Sequence, residues 1–101
     1  TLRTVVLRLL DQEGRMYGYQ MSKLVEDLSG GHYKLTEGSL YPLLHKLVQD
    51  GLLTTETEKV GGRQRRYYVI TPAGRAAAAN RREEFRRFLG TMQRLLDLQP
   101  E

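Results

Sequence analysis

The hydrophobic period changes twice within these 101 residues, and that alternation constrains the fold more than any other feature. Leu2, Val5, Val6, Leu9 and Leu10 share one helical face, and Gly14 supplies a stop. Tyr17, Met21, Leu24, Val25 and Leu28 repeat the pattern before Ser29-Gly30-Gly31. Leu40, Leu43, Leu44, Leu47 and Val48 mark a third helix, ended by Asp50-Gly51. Thr36 or Ser39 can cap it; Pro42 fits the first turn only from Ser39. The period then drops to two. Leu53, Thr55 and Thr57 alternate with Thr54, Glu56 and Glu58, and Tyr67-Tyr68-Val69-Ile70 follows as a second strand. Between them Val60-Gly61-Gly62-Arg63-Gln64 reads as a long, flexible tip.

Thr71-Pro72 restores the helical period with a capping hydroxyl and a proline at the first helical position. Gly74 weakens the first turn, Ala76–Ala79 is strongly helix-forming, and Glu83 and Arg87 form a supporting pair. This helix is expected to run from Pro72 to about Leu98. The order of three helices, hairpin and long helix is mainly α with a small β-hairpin wing. It is the plan of a winged helix-turn-helix with a long C-terminal dimerisation helix. On this plan residues 1–71 are expected to form a DNA-binding unit and 72–101 a dimerisation helix, within one compact body.

Composition narrows the function. There is no cysteine, so disulfides and thiol chemistry are out. No apolar run approaches a membrane span, no basic-then-apolar leader opens the sequence, and a cytoplasmic location is expected. The net charge of +4 hides an asymmetry. Residues 1–58 carry net −2, whereas residues 59–87 carry nine basic and two acidic side chains. Clustered arginine points to a polyanion, nucleic acid above all, against the plainer alternative of solvated surface.

The third helix suits a DNA-reading role. Its apolar face can seat it, and Gly38, Ser39, Tyr41, Pro42, His45, Lys46 and Gln49 lie outside that face. An ordinary surface helix is polar outside too. The hairpin tip is more informative, because Arg63, Arg65 and Arg66 place three guanidiniums within four residues with no acidic neighbour in sequence.

Four blocks carry a resemblance. They are Tyr17-Gly18-Tyr19-Gln20-Met21, Glu37-Gly38-Ser39-Leu40-Tyr41-Pro42-Leu43-Leu44, Asp50-Gly51-Leu52-Leu53, and the run from Gly61 to Gly74. In this order and spacing they resemble the PadR family of bacterial transcriptional regulators. The resemblance implies a dimeric winged helix-turn-helix that binds a double-stranded operator and usually represses. It also implies that Tyr19, Ser39, Tyr41 and the wing arginines approach DNA. Ser39 keeps the hydroxyl of the family's threonine, Gln20 replaces a glutamate, and Gln64 replaces a proline. The single terminal helix resembles the short subfamily. A MarR-like regulator, or a winged module that binds a protein partner, are the alternatives.

Along the last helix Phe85, Phe88, Leu89, Met92, Leu95 and Leu96 form an apolar stripe with little of the same subunit left to cover it. That favours a homodimer, with folding back onto the first helix as the alternative. Some family members bind flat aromatic compounds at this interface, often on a tryptophan. This chain has none, so a small aromatic effector stays open. No enzymatic role is expected: His32 and His45 lack matched acidic partners, and no phosphate loop, cofactor site or metal-ligand pattern is present.

Overall fold

The computed structural model describes residues 1–98, so the last three residues of the expected 72–101 unit lie outside the described ones. Four helices and three strands follow in the order α1 (Leu2–Glu13), β1 (Arg15–Tyr17), α2 (Gly18–Leu28), α3 (Glu37–Gln49), β2 (Leu53–Val60), β3 (Arg63–Ile70) and α4 (Pro72–Leu95). The sheet is antiparallel with order β1-β3-β2. This is the winged helix-turn-helix expected from the alternating periods.

The core sits where α1, α2 and α3 meet the base of the sheet. Val6, Leu7, Leu9 and Leu10 of α1 pack with Met21, Val25, Leu40, Leu44 and Leu47. Leu53, Met16, Tyr68 and Ile70 close it from the sheet and Ala78 from α4. Two core positions differ from the periodic pattern. Leu7 is fully buried in place of Val5, and Leu28 is 70% exposed at the last turn of α2. The buried arc of α1 is rotated because α4 covers one flank of it.

Local expectations are corrected at three points, and the open choice of cap for α3 is decided. First, Tyr17 does not open α2: Gly14, at φ 81°, turns the chain into the three-residue strand β1. Its period is too short to read in sequence. The Tyr17 N–H donates to Gln20 Oε1 at 3.0 Å as α2 begins. Second, Thr36 caps α3, accepting from the Ser39 N–H at 3.2 Å, so Pro42 lies inside the helix. The bond it removes frees the carbonyl of Gly38, which is exposed and can be satisfied by water.

Third, the hairpin has no long loop. β2 and β3 pair in register from Leu53↔Ile70 to Val60↔Arg63, and Gly61-Gly62 alone makes the turn. Both glycines have positive φ, 59° and 79°, as the mirror-image two-residue turn requires. Fourth, Gly74 is demanded rather than tolerated. A Cβ there would overlap the Leu52 carbonyl oxygen and come within 2.7 Å of Ile70 Cγ1. Thr71 Oγ1 reinforces this root, donating to the carbonyls of Gly51 at 2.8 Å and Leu52 at 3.0 Å. From it α4 runs 24 residues, about 36 Å, and ends at Leu95 rather than Leu98.

Candidate nucleic-acid interface

The strand period of two decides where each wing arginine points. Arg63 and Arg65 share one face of β3 with Tyr67, while Gln64 and Arg66 continue the face that is buried lower down as Tyr68 and Ile70. The expected cluster of three guanidiniums is therefore split across the ribbon. The expectation of no acidic neighbour is corrected too: Glu58 stands directly opposite Arg65, and Glu56 opposite Tyr67. Sequence separation hid both.

Even so, the wing, β1 and two helices converge. Tyr17, Gly18, Tyr19, Tyr41, Val60, Arg63, Gln64, Arg65, Arg66 and Tyr68 line an open groove of about 520 Å³. Tyr19 projects from the first turn of α2, 69% exposed, and Tyr41 comes from α3, 43% exposed. Tyr41 has its place because Gly18 has no side chain. A Cβ at Gly18 would lie 2.5 Å from Tyr41 Oη and 2.9 Å from Cζ.

The other predicted residues divide. Pro42, His45 and Lys46 are exposed on α3. Lys46 Nζ lies 3.2 Å from Asp50 Oδ1, and His45 Nε2 lies 3.3 Å from Gln49 Nε2. Asp50 is also bonded by Arg3 at 3.0 Å. Hydrogen bonds from Arg3, then Lys46, hold its carboxyl below the usual range. Gly38 is exposed with no close neighbour that a Cβ would meet. Ser39 is not brought to the wing groove. Its hydroxyl lies 3.0 Å from Thr36 Oγ1, and it borders a separate apolar hollow with Leu2, Val5, Leu28, Tyr33 and Leu35.

The basic run 59–87 also splits. Arg75 Nη1 donates to the Asp11 carbonyl and carboxylate, tying α4 to α1. Arg86 is paired at 2.8 Å with Glu83, a closer partner for that carboxylate than the expected Arg87 at 3.9 Å. Only the wing share of the charge faces the groove. Sequence reasoning passed over Arg15, Tyr17, Gly18 and Tyr67. Tyr17 and Gly18 stand in the first of the four family-like blocks, but nothing local assigns them a task. Among the described residues no His, Asp and Glu group is placed to hold a metal ion.

Residues 6–80 match the family described as "Transcriptional regulator PadR-like family". The chain belongs to that family. A transcriptional regulator of Mycobacterium tuberculosis, Rv3488, is 54% identical over 54 residues, covering 54% of this chain and 50% of the relative. The chain thus spans about half the length of that relative. A PadR family regulator from Eggerthella lenta superposes with a TM-score of 0.83 at 27% identity, covering 98% of this chain and 84% of its own. Bacillus subtilis PadR, solved in complex with operator DNA, superposes at 0.71 with 25% identity, covering 79% of this chain and 45% of its own. PadR membership sets aside the MarR-like alternative. No described helix is long and apolar enough to cross a membrane.

Proposed function

We propose that this PadR-family chain is a cytoplasmic, homodimeric repressor that binds a specific duplex operator. One observation carries the reading: the exposed face of α3 and the arginine-lined groove of the wing meet at Tyr41. A helix with a polar outer face enters the major groove, and a basic ribbon beside it follows the phosphates. Tyr19, Tyr41, Arg63, Arg65 and Arg66 take the backbone. Gly38, Ser39, Pro42, His45 and Lys46 lie along the reading helix. The operator-bound Bacillus subtilis relative supports the same use of the fold.

The dimer rests on α4. Phe85, Phe88, Leu89, Leu95 and Leu96 are exposed and Met92 is half-buried. A second copy also finds an apolar hollow beside α1, formed by Leu2, Val5, Leu28 and Tyr33. Two reading helices about 34 Å apart then match one turn of duplex. A small aromatic effector, if one acts, belongs at this interface, where Phe85 and Phe88 lie 6.0 Å apart. Alone, the hollow they line with Thr4 holds about 200 Å³, below the ~300 Å³ of ordinary ligand sites, so a second copy must complete it.

The test is binding to duplex DNA from the chain's own upstream region, titrated against salt and scrambled competitor. Tight binding that survives competitor is expected. Replacing Arg63, Arg65 or Arg66 weakens binding to every sequence and lowers the salt slope by about one unit for each phosphate no longer neutralised. No binding even at low salt overturns the reading in favour of a partner protein.

A further inference from the structure

The outer face of the wing presents an electrostatic problem. Arg65 lies directly across from Glu58 in the β2–β3 register. Opposite charges facing each other on neighbouring strands normally pair. A paired Arg65 would have less charge to offer a phosphate, and Glu56 on the same face would add repulsion.

The structure resolves this from β1. Arg15 Nη2 reaches Glu58 at 2.6 Å, and its Nη1 lies 3.6 Å from Glu56. The same guanidinium sits 3.8 Å from the centroid of the Tyr67 ring. Tyr67 meets Tyr17 edge-on at 5.4 Å, and Arg65 lies 4.2 Å from the Tyr17 centroid. The result is a ladder: Glu58, Arg15, Tyr67, Tyr17, Arg65. Arg65 makes no close ion pair with the carboxylate across from it and lies over a ring that, like Arg65 itself, lines the groove, while a hydrogen bond with Tyr67 and the more distant charge of Glu58 both favour its charged form. The planar guanidinium keeps its donors at its edge while its face is stacked. A proton on Arg15 is held more firmly than usual, chiefly by its hydrogen bond to Glu58.

We propose that Arg15 and Tyr17 are positioning residues for DNA binding by the wing. Arg15 engages the two wing glutamates so that Arg65 stays available to phosphate, and the Tyr17 ring fixes where Arg65 stands. Neither residue needs to touch DNA. This rests on the reading of the groove as a DNA interface.

The experiment measures affinity and salt slope of the full chain on a mixed-sequence DNA duplex. Arg65→Gln sets the reference. Arg15→Gln is expected to reproduce it, losing about one unit of slope although Arg65 is still present. Glu58→Gln should restore that unit in the Arg15→Gln background and change the slope little in the otherwise unaltered chain. Tyr17→Leu leaves the Arg15 ion pairs in place and should cost the Arg65-dependent unit alone, so it decides the matter if Arg15→Gln fails to fold. An effective Arg65→Gln with silent Arg15→Gln and Tyr17→Leu overturns the inference. So does a Glu58→Gln gain of equal size in both backgrounds, which is bulk charge rather than positioning. A silent Arg65→Gln overturns instead the DNA role of the wing.

Discussion

The hairpin and α4 are built alike and end differently. Both spring from one corner, where β2 leaves the Asp50–Leu52 turn and Thr71 ties the start of α4 back to Gly51 and Leu52. Each is buried near that corner, through Leu53, Tyr68 and Ile70 in one case and Gly74 and Ala78 in the other. Each then leaves the core. The free end of the wing carries Lys59, Arg63, Gln64 and Arg66, with Val60 as its one exposed large hydrophobe. The free end of α4 carries Phe88, Leu89, Leu95 and Leu96, with Leu95 71% exposed. A charged end gains nothing from an apolar partner, and an apolar stripe gains nothing from phosphate. The same construction thus suits two kinds of partner, the two proposed above, and burial near the root separates stability from recognition.

Breaking the root removes both ends together. Gly74→Ala places a methyl group against the Leu52 carbonyl, a backbone group that cannot swing aside. The expected cost is about 2–3 kcal/mol, read as a lower urea midpoint, while Ala73→Ser on the exposed side of the same turn costs little. Equal stability of the two variants would mean that the corner does not anchor both elements.

The apolar end is broken separately by Phe88→Glu with Leu95→Glu. Both positions are more than half exposed, so the single chain should keep its fold. Light scattering should show a monomer. Affinity for a duplex carrying two half-sites should fall about 100-fold or more, because linked binding is lost. A dimer that survives both charges would move the interface off the α4 stripe.

The contrast between root and ends also explains what the sequence disclosed. The three core helices were legible because Val6, Leu9 and Leu10, Met21 and Val25, and Leu40, Leu44 and Leu47 recur at the period that burial imposes. The wing base was legible for the same reason through Leu53 and Ile70. Its tip was not. Val60 to Gln64 is solvated on both faces, so no alternation survives to distinguish strand from loop. β1 was invisible because three residues hold less than two periods. At the site, the outward residues of α3 followed from helical geometry. The ladder did not, since strand register joins Tyr17 to Tyr67 and an ion pair joins Arg15 to Glu58 across stretches of chain that no local pattern spans. Gly74 looked like a helix weakness because the carbonyl it accommodates belongs to another element.

At the charged end, Gly18→Ala sharpens the assignment without touching a charge. The new methyl group forces the Tyr41 phenol out of its place in the groove. A side-chain tip can yield, so stability should change by less than about 1 kcal/mol. DNA affinity should fall roughly 3–10-fold, the equivalent of one ordinary net hydrogen bond. In a Tyr41→Ala background the same substitution should be silent; a loss of equal size there would show that Gly18 acts through something other than Tyr41.

The smallest effect concerns the root's electrostatics. Asp50 holds Arg3 of α1 and Lys46 of α3 beside the corner that launches β2. Its carboxyl is held below its ordinary 3.8, first by the Arg3 bond and then by Lys46. A depressed carboxylate contributes stability that is fully present above its unfolded value and lost as pH falls through the folded one. The unfolding midpoint should therefore drop on acidification below about pH 4, and part of that drop should vanish in Asp50→Asn. The amide variant should also be slightly less stable at neutral pH, where the ion pairs are intact. Both carboxyl oxygens of Asp50 are engaged at the surface, so screening keeps the effect modest, and raising the salt should shrink the difference between the two proteins. An acid profile identical in both would place the titrating stability elsewhere. Glu83 is then the next group to test, since its carboxyl is lowered by Arg86 on the free half of α4, away from the root.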